Sequence, residues 1–80
     1  MKIPVIKGLV EQYSVETLMQ AESDIVEEMP LKIEVEGADE GEKLTHVIAA
    51  IWIIAEMKHQ NLDFKEALRA YTTKVRSSIS

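Results

Sequence analysis

The residues of this chain whose types and spacing could support chemistry are few, and the clearest pair is Glu56 with His59. A Glu-x-x-His pair on one helix supplies two ligands in the carboxylate-bridged di-iron sites of helical bundles. Glu56 and His59 are therefore the candidate metal ligands of a metal- or small-molecule-binding protein. The alternative is a solvated helix end, because Lys58 and a turn lie beside the pair. We favour this alternative and predict no metal site.

A second pair, Glu42 and His46, is spaced four residues apart, so that both side chains would lie on one face of a helix. For this pair we predict a local hydrogen bond or ion pair. Glu42 and Glu56 would be about 21 Å apart along a continuous helix, which rises about 1.5 Å per residue. His46 and His59 would be about 20 Å apart on the same basis. Neither separation allows one metal ion to be shared within a chain.

Enzyme chemistry has little support elsewhere in the sequence. The chain has no cysteine, which excludes thiol catalysis, cysteine-ligated zinc and iron–sulfur clusters. Its serines stand at cap-like or terminal positions, and its three glycines lack the spacing of a phosphate-binding loop. Fourteen acidic residues allow many carboxylate pairs, but none stands in an apolar setting. We therefore predict a non-enzymatic protein with no catalytic residue, no cofactor-binding residue and no cofactor.

The charge of the chain is acidic overall and uneven along its length. The net charge of −5 disfavours nucleic acid as a partner, because phosphates would be repelled. Residues 22–42 hold nine acids and one base, whereas residues 58–80 hold five bases and two acids. These two regions are either ordinary solvated faces or surfaces that meet, within one chain or between two chains.

Two helices are predicted in the first part of the chain. The segment 3–13 has apolar residues at helical spacing, with Pro4 in its first turn. Ser14 has the character of an N-cap for an amphipathic second helix over 15–29. Pro30 is expected to end that helix.

Two further helices are predicted after the midpoint. The third runs from about 40 to 60 and is apolar all round in its middle, which is typical of a helix surrounded by other elements. Asp63 and Glu66 form a D-x-x-E capping box that opens the fourth. Leu68 and Tyr71 of the fourth helix should be buried against the third.

The apolar run of the third helix, Val47 to Ala55, is nine residues long. It is too short for a membrane span, which needs about 20 apolar residues. Three neighbouring helices can shield roughly two-thirds of its circumference, since helices pack about 8–10 Å apart. A homodimer would cover the rest most simply, because twofold pairs are the commonest soluble assemblies. The predicted dimer interface consists of Val47, Ile48, Ile51, Trp52, Ile54 and Ala55.

Residues 31–36 alternate between apolar and charged side chains, which is the pattern of an extended segment with one covered face. No second strand is evident in the sequence. The segment is therefore expected either to drape over the helices or to pair outside its own chain, for example with its twin across a twofold axis. An antiparallel ribbon centred on Ile33 would place Lys32 opposite Glu34 of the other chain.

The two ends of the sequence, "MKIPVIKGLVEQYS" and "FKEALRAYTTKVRSSIS", resemble a family of short acidic bacterial proteins without an assigned function. Its members begin with M-K-[IL]-P-V-I and end with V-x-x-S-I. The resemblance covers essentially the whole chain and implies no catalytic residues. The last two helices are also similar to another short bacterial family, which forms helical homodimers.

These observations predict one all-α domain over residues 1–80, a small bundle of about four helices with one short extended segment near 31–36. We expect an obligate homodimer that acts as a cytoplasmic protein-interaction or accessory module, since the amino terminus has no signal-peptide pattern. The expected partners are a second copy of the chain and another protein, with no nucleic acid and no membrane.

Overall fold

The computed structural model describes residues 2–79 of the chain, and the side chains of residues 2–77. It contains four helices: α1 (Ile3–Gln12), α2 (Val15–Val26), α3 (Glu40–Gln60) and α4 (Phe64–Ile79). No strand occurs within the described residues. The predicted all-α fold with about four helices is therefore confirmed.

Local chemistry explains where the first two helices begin. Pro4 lies in the first turn of α1, where its missing N–H costs no helical hydrogen bond. Ser14 caps α2, because its hydroxyl oxygen accepts a hydrogen bond from the Thr17 N–H at 3.3 Å. Tyr13, between the two helices, has an extended backbone that separates them.

α2 ends at Val26, three residues before the end predicted from Pro30. Glu28 adopts a left-handed conformation with φ 58°. The Met29 N–H then donates to the Asp24 carbonyl oxygen at 2.7 Å, as in a Schellman turn. The predicted end at residue 29 was wrong because this turn closes the helix first. The proline restricts only residues that are already outside it.

α3 has the predicted bounds and is the longest element of the molecule. Its N-cap is Asp39, whose Oδ1 accepts a hydrogen bond from the Glu42 N–H at 2.8 Å. Asn61 ends the helix in a left-handed conformation with φ 55°. A helix of 21 residues is about 32 Å long, which equals the largest dimension of the molecule, 32 Å. α3 therefore runs through the whole domain.

α4 opens with the predicted capping box. The Glu66 N–H donates to Asp63 Oδ1 at 2.8 Å, and the Asp63 N–H donates to Glu66 Oε1 at 3.2 Å. Tyr71 is buried, as predicted, and packs against α3 through Trp52. Leu68 is only half-buried, so the prediction of a buried Leu68 was wrong. Leu68 packs against the core with part of its side chain and keeps the rest accessible.

The core lies around α3, which contacts α1, α2 and α4. Each helix contributes apolar side chains at helical spacing, so that the four apolar faces share one interior. The buried apolar residues are Ile6, Leu9, Leu18, Ala21, Ile25, Val35, Val47, Ala49, Ala50, Ile53, Ile54, Ala67 and Tyr71. Four alanines lie among them, and small side chains allow close helix packing at those points.

The extended segment 31–36 lies over the helices. Val35 is buried in the core, while Leu31 and Ile33 are half-buried against it. Lys32 and Glu34, between them in sequence, are exposed. The alternation in the sequence therefore corresponds to one face that packs on the helices, as the draped arrangement requires. Pairing of this segment with a second copy stays a prediction.

Candidate functional site on the third helix

One side of α3 is left uncovered by the other helices, and its apolar residues form a continuous stripe. We call this stripe the α3 seam; it consists of Leu44, Ile48, Ile51 and Ala55. Ile48 is 40% exposed, Ala55 is exposed, and Leu44 and Ile51 are half-buried. The spacings of four, three and four residues are those of alternating a and d positions in a coiled coil. The seam thus has the pattern of a surface that packs against another helix.

Trp52 forms the border between the seam and α4. Its ring lies 5.5 Å from the ring of Tyr71, centroid to centroid, with a tilt of 53°. Tilted aromatic pairs at this distance are favourable. Trp52 packs against the core and is half-buried, so part of its side chain remains accessible. The contact attaches α4 to one edge of the seam and leaves the seam itself open.

The structure divides the predicted dimer interface into two groups. Val47 is 0% exposed and Ile54 is 8% exposed within the single chain, so both have little surface left for a second copy. Ile48, Ile51, Trp52 and Ala55 keep accessible surface, and for them the interface stays a prediction. Sequence reasoning missed Leu44, although its position four residues before Ile48 follows the heptad spacing.

The two ends of the seam carry opposite charges. Glu40 lies in the first turn of α3, beside the N-cap Asp39, and Lys58 and His59 lie in its last turn. All four side chains are exposed. Acids at the N-terminus and bases at the C-terminus of a helix interact favourably with the helix dipole. The apolar α3 seam is therefore flanked by acidic side chains at the N-terminal end of the helix and by basic side chains at its C-terminal end.

His46 is fully buried on the opposite side of α3 from the seam. Its Nε2 accepts a hydrogen bond from the Lys2 backbone N–H at 3.0 Å. Its Nδ1 therefore carries the proton and donates to the Glu36 carbonyl oxygen at 2.8 Å. The ring joins three parts of the chain: the start of α1, the extended segment and α3. Its two nitrogens are both used, so His46 has a structural role and is not free to act as a base.

The predicted contact between Glu42 and His46 was wrong. Glu42 Oε1 instead accepts a hydrogen bond from the Ala38 N–H at 2.8 Å. Glu42 therefore stabilises the turn before α3, as acidic residues near an N-cap do. His46 faces the core, where it bonds to backbone groups far away in the sequence.

The candidate metal pair lies at the carboxyl end of α3. Glu56 is half-buried and His59 is exposed. Within residues 2–79, no group of three or more His, Cys, Asp or Glu side chains is arranged to hold a metal ion. Glu56 and His59 are thus two candidate ligands, and the described part of the same chain supplies no third one beside them.

Among the residues whose side chains the structure describes, Asp24 is the other buried polar side chain. Its Oδ1 accepts a hydrogen bond from Gln20 Nε2 at 3.0 Å, and its Oδ2 lies 3.2 Å from Lys32 Nζ. The Lys32 side chain is 69% exposed, whereas that of Asp24 is 5% exposed. Every buried side-chain N or O atom of the described residues has a hydrogen-bond partner. Asp24 therefore serves to fasten the extended segment to α2.

Replacing Lys32 with alanine is expected to lower the free energy of unfolding by less than about 1 kcal/mol. The ammonium is on the solvent side of Asp24, so that water can replace it, while the Gln20 hydrogen bond remains. Urea denaturation of the two proteins measures the difference. A loss above about 3 kcal/mol would instead indicate that removal of Lys32 leaves the Asp24 carboxylate buried without a counter-charge.

A groove of about 380 Å³ between α1 and the extended segment is lined by Tyr13, Glu34 and Glu36, among other residues. Both of these glutamates are exposed. Paired carboxylates perform acid–base chemistry when their environments differ, as when one is surrounded by apolar side chains. Two exposed glutamates do not provide that difference.

The chain matches the model of a family of unknown function, DUF6952, over residues 1–80, and it belongs to that family. This confirms the expected membership of an uncharacterised family that spans the whole chain. Comparison with curated proteins and with solved structures gave no match. Among the described residues, none of the helices combines the length and apolar character that crossing a bilayer requires.

Proposed function

We propose that this DUF6952 member is a non-enzymatic, homodimeric protein-interaction module whose two copies pair through the α3 seam. The observation that carries the proposal is the exposure of Ile48, 40%, in the middle of an apolar stripe with coiled-coil spacing. Scattered apolar residues are normal on a surface, but contiguous apolar stripes mark interaction sites.

Energetics support pairing through this stripe. A domain of 80 residues buries only roughly 60–65% of the surface that its unfolded chain exposes, so a small core gains from a second interface. Fully burying one isoleucine or leucine side chain contributes about 1.5–3 kcal/mol. Four seam residues on each copy would meet in a dimer. The free energy gained by burying their apolar surface opposes the free energy lost with translational and rotational freedom on association.

The non-enzymatic part of the proposal is supported by the uses that the polar side chains already have. The ring nitrogens of His46 are both bonded to backbone groups, and Asp24 is bonded to Gln20 and Lys32. A catalytic base must be able to reach a substrate with a free position. Within the described residues, the two buried polar side chains both bond to other segments of the chain and hold them together.

Replacing Ile48 with glutamate is expected to convert the dimer into a folded monomer. The side chain is exposed within the chain, so a carboxylate there can remain hydrated in the monomer. In the dimer, each copy would instead bury a carboxylate among apolar side chains without a counter-charge. Light scattering at micromolar concentration measures the mass, and circular dichroism checks that the helices persist.

Met19→Glu is the matched control, because Met19 is a 54% exposed apolar residue on α2, away from the seam. It should leave the mass unchanged. A monomeric wild-type protein, or an I48E variant that is still dimeric, would contradict the proposal.

A further inference from the structure

We infer that the two copies pair with their α3 helices antiparallel, so that the acidic end of each seam lies beside the basic end of the other. In this arrangement Leu44 packs against the partner's Ala55, and Ile48 packs against the partner's Ile51. Glu40 lies beside the partner's Lys58. The inference rests on the proposed homodimer. It specifies that the α3 helix of a second copy covers the seam and that the two helices run in opposite directions.

The sizes of the seam residues favour this direction. The seam is centred between residues 49 and 50, and a twofold axis there places a positions opposite d positions, as antiparallel helices require. Leucine then meets alanine at both ends of the seam, and isoleucine meets isoleucine in the middle. A parallel pair would set Ala55 against its own copy and leave a gap, which close-packed interfaces avoid.

The charges favour the same direction. In a parallel pair, Lys58 would lie beside its own copy at one end, and the acids around Glu40 would lie beside theirs at the other. In an antiparallel pair each acidic end meets a basic end, and the two helix dipoles are opposed. Charges that flank a coiled-coil seam determine partner orientation more than affinity.

Helix geometry brings the two charged side chains to the same flank. Glu40 and Lys58 are 18 residues apart, which is about five turns of an α-helix, so they project from the same side. A twofold axis perpendicular to two antiparallel helices brings equal flanks together. Along the helix axis, Glu40 of one copy and Lys58 of the other then differ in position by one residue, about 1.5 Å. Long side chains span this distance easily. Both side chains are exposed and accessible to a partner.

Engineered cysteines can test the direction, because the chain has no cysteine of its own. Leu44→Cys and Ala55→Cys are made as separate variants, one of them with an amino-terminal extension that changes its size. Each is treated alone with a short thiol-to-thiol linker, and a co-expressed mixture of both is treated in the same way. The charged residues Glu40 and Lys58 remain in place in all samples.

The antiparallel pair predicts a cross-linked product of intermediate size in the mixture, and none from either variant alone. Two copies of residue 44, or two copies of residue 55, would be about 16 Å apart along the axis, since each lies 5.5 residues from the centre. A parallel pair would give the opposite result, with each variant cross-linking to itself.

The mass of the untreated variants separates the two levels of the proposal. Cross-linked dimers from each variant alone, without a product of intermediate size in the mixture, would overturn the antiparallel direction and leave the homodimer in place. Dimers that cross-link in no sample would show that another surface pairs, which overturns the α3 seam as the interface. A monomeric wild-type protein would overturn the homodimer and the direction together.

Discussion

Replacing His46 with alanine is expected to lower the free energy of unfolding by about 2–4 kcal/mol, since each buried polar partner left without a hydrogen bond costs about 1–3 kcal/mol. The substitution removes the acceptor of the Lys2 N–H and the donor to the Glu36 carbonyl oxygen. It also leaves a space in the interior, because His46 is 0% exposed. The start of α1 and the end of the extended segment would then lose their shared attachment to α3.

Two further variants make this prediction specific. His59→Ala changes the same residue type on the same helix at an exposed position, so it should change stability by less than about 0.5 kcal/mol. His46→Gln retains one acceptor and one donor and should recover part of the loss. Urea denaturation at a fixed protein concentration measures all three. Equal losses for the two alanine variants would rule out the bridging role of His46.

Replacing Ile53 with alanine is expected to cost about 2–5 kcal/mol, the range for large-to-small changes at fully buried sites. Ile53 is 0% exposed and lies at the middle of α3, where the helices meet. The surrounding side chains cannot all move into the space, because each is held by packing on its own helix. The variant should therefore unfold at a lower urea concentration than the wild-type protein, or be unfolded even in the absence of urea.

Met19→Ala provides the comparison, since it shortens an apolar side chain that is 54% exposed on α2. Its effect should stay within about 0.5 kcal/mol. Both variants must be compared with the wild type at one protein concentration, because stability depends on concentration in a protein that dimerises. A loss below about 1 kcal/mol for Ile53→Ala would mean that the core closes around the missing atoms.

The sequence by itself determined the helices wherever their signals are local. The N-cap at Ser14 and the capping box of Asp63 and Glu66 act over three residues, so their residue types are enough to locate them. The alternation over residues 31–36 likewise indicated which side chains face the helices. The end of α2 was predicted too late, because a glutamate in a left-handed turn has no clear sequence signal.

Only the tertiary structure decided which side of α3 remains open and what His46 does. Nine consecutive apolar residues have no periodicity, so the sequence alone does not separate buried Ile54 from exposed Ile48. That distinction depends on where the other three helices pack. The partners of His46 are 44 and 10 residues away in the chain. Contacts of this kind arise only when the segments fold onto one another, and no local pattern records them.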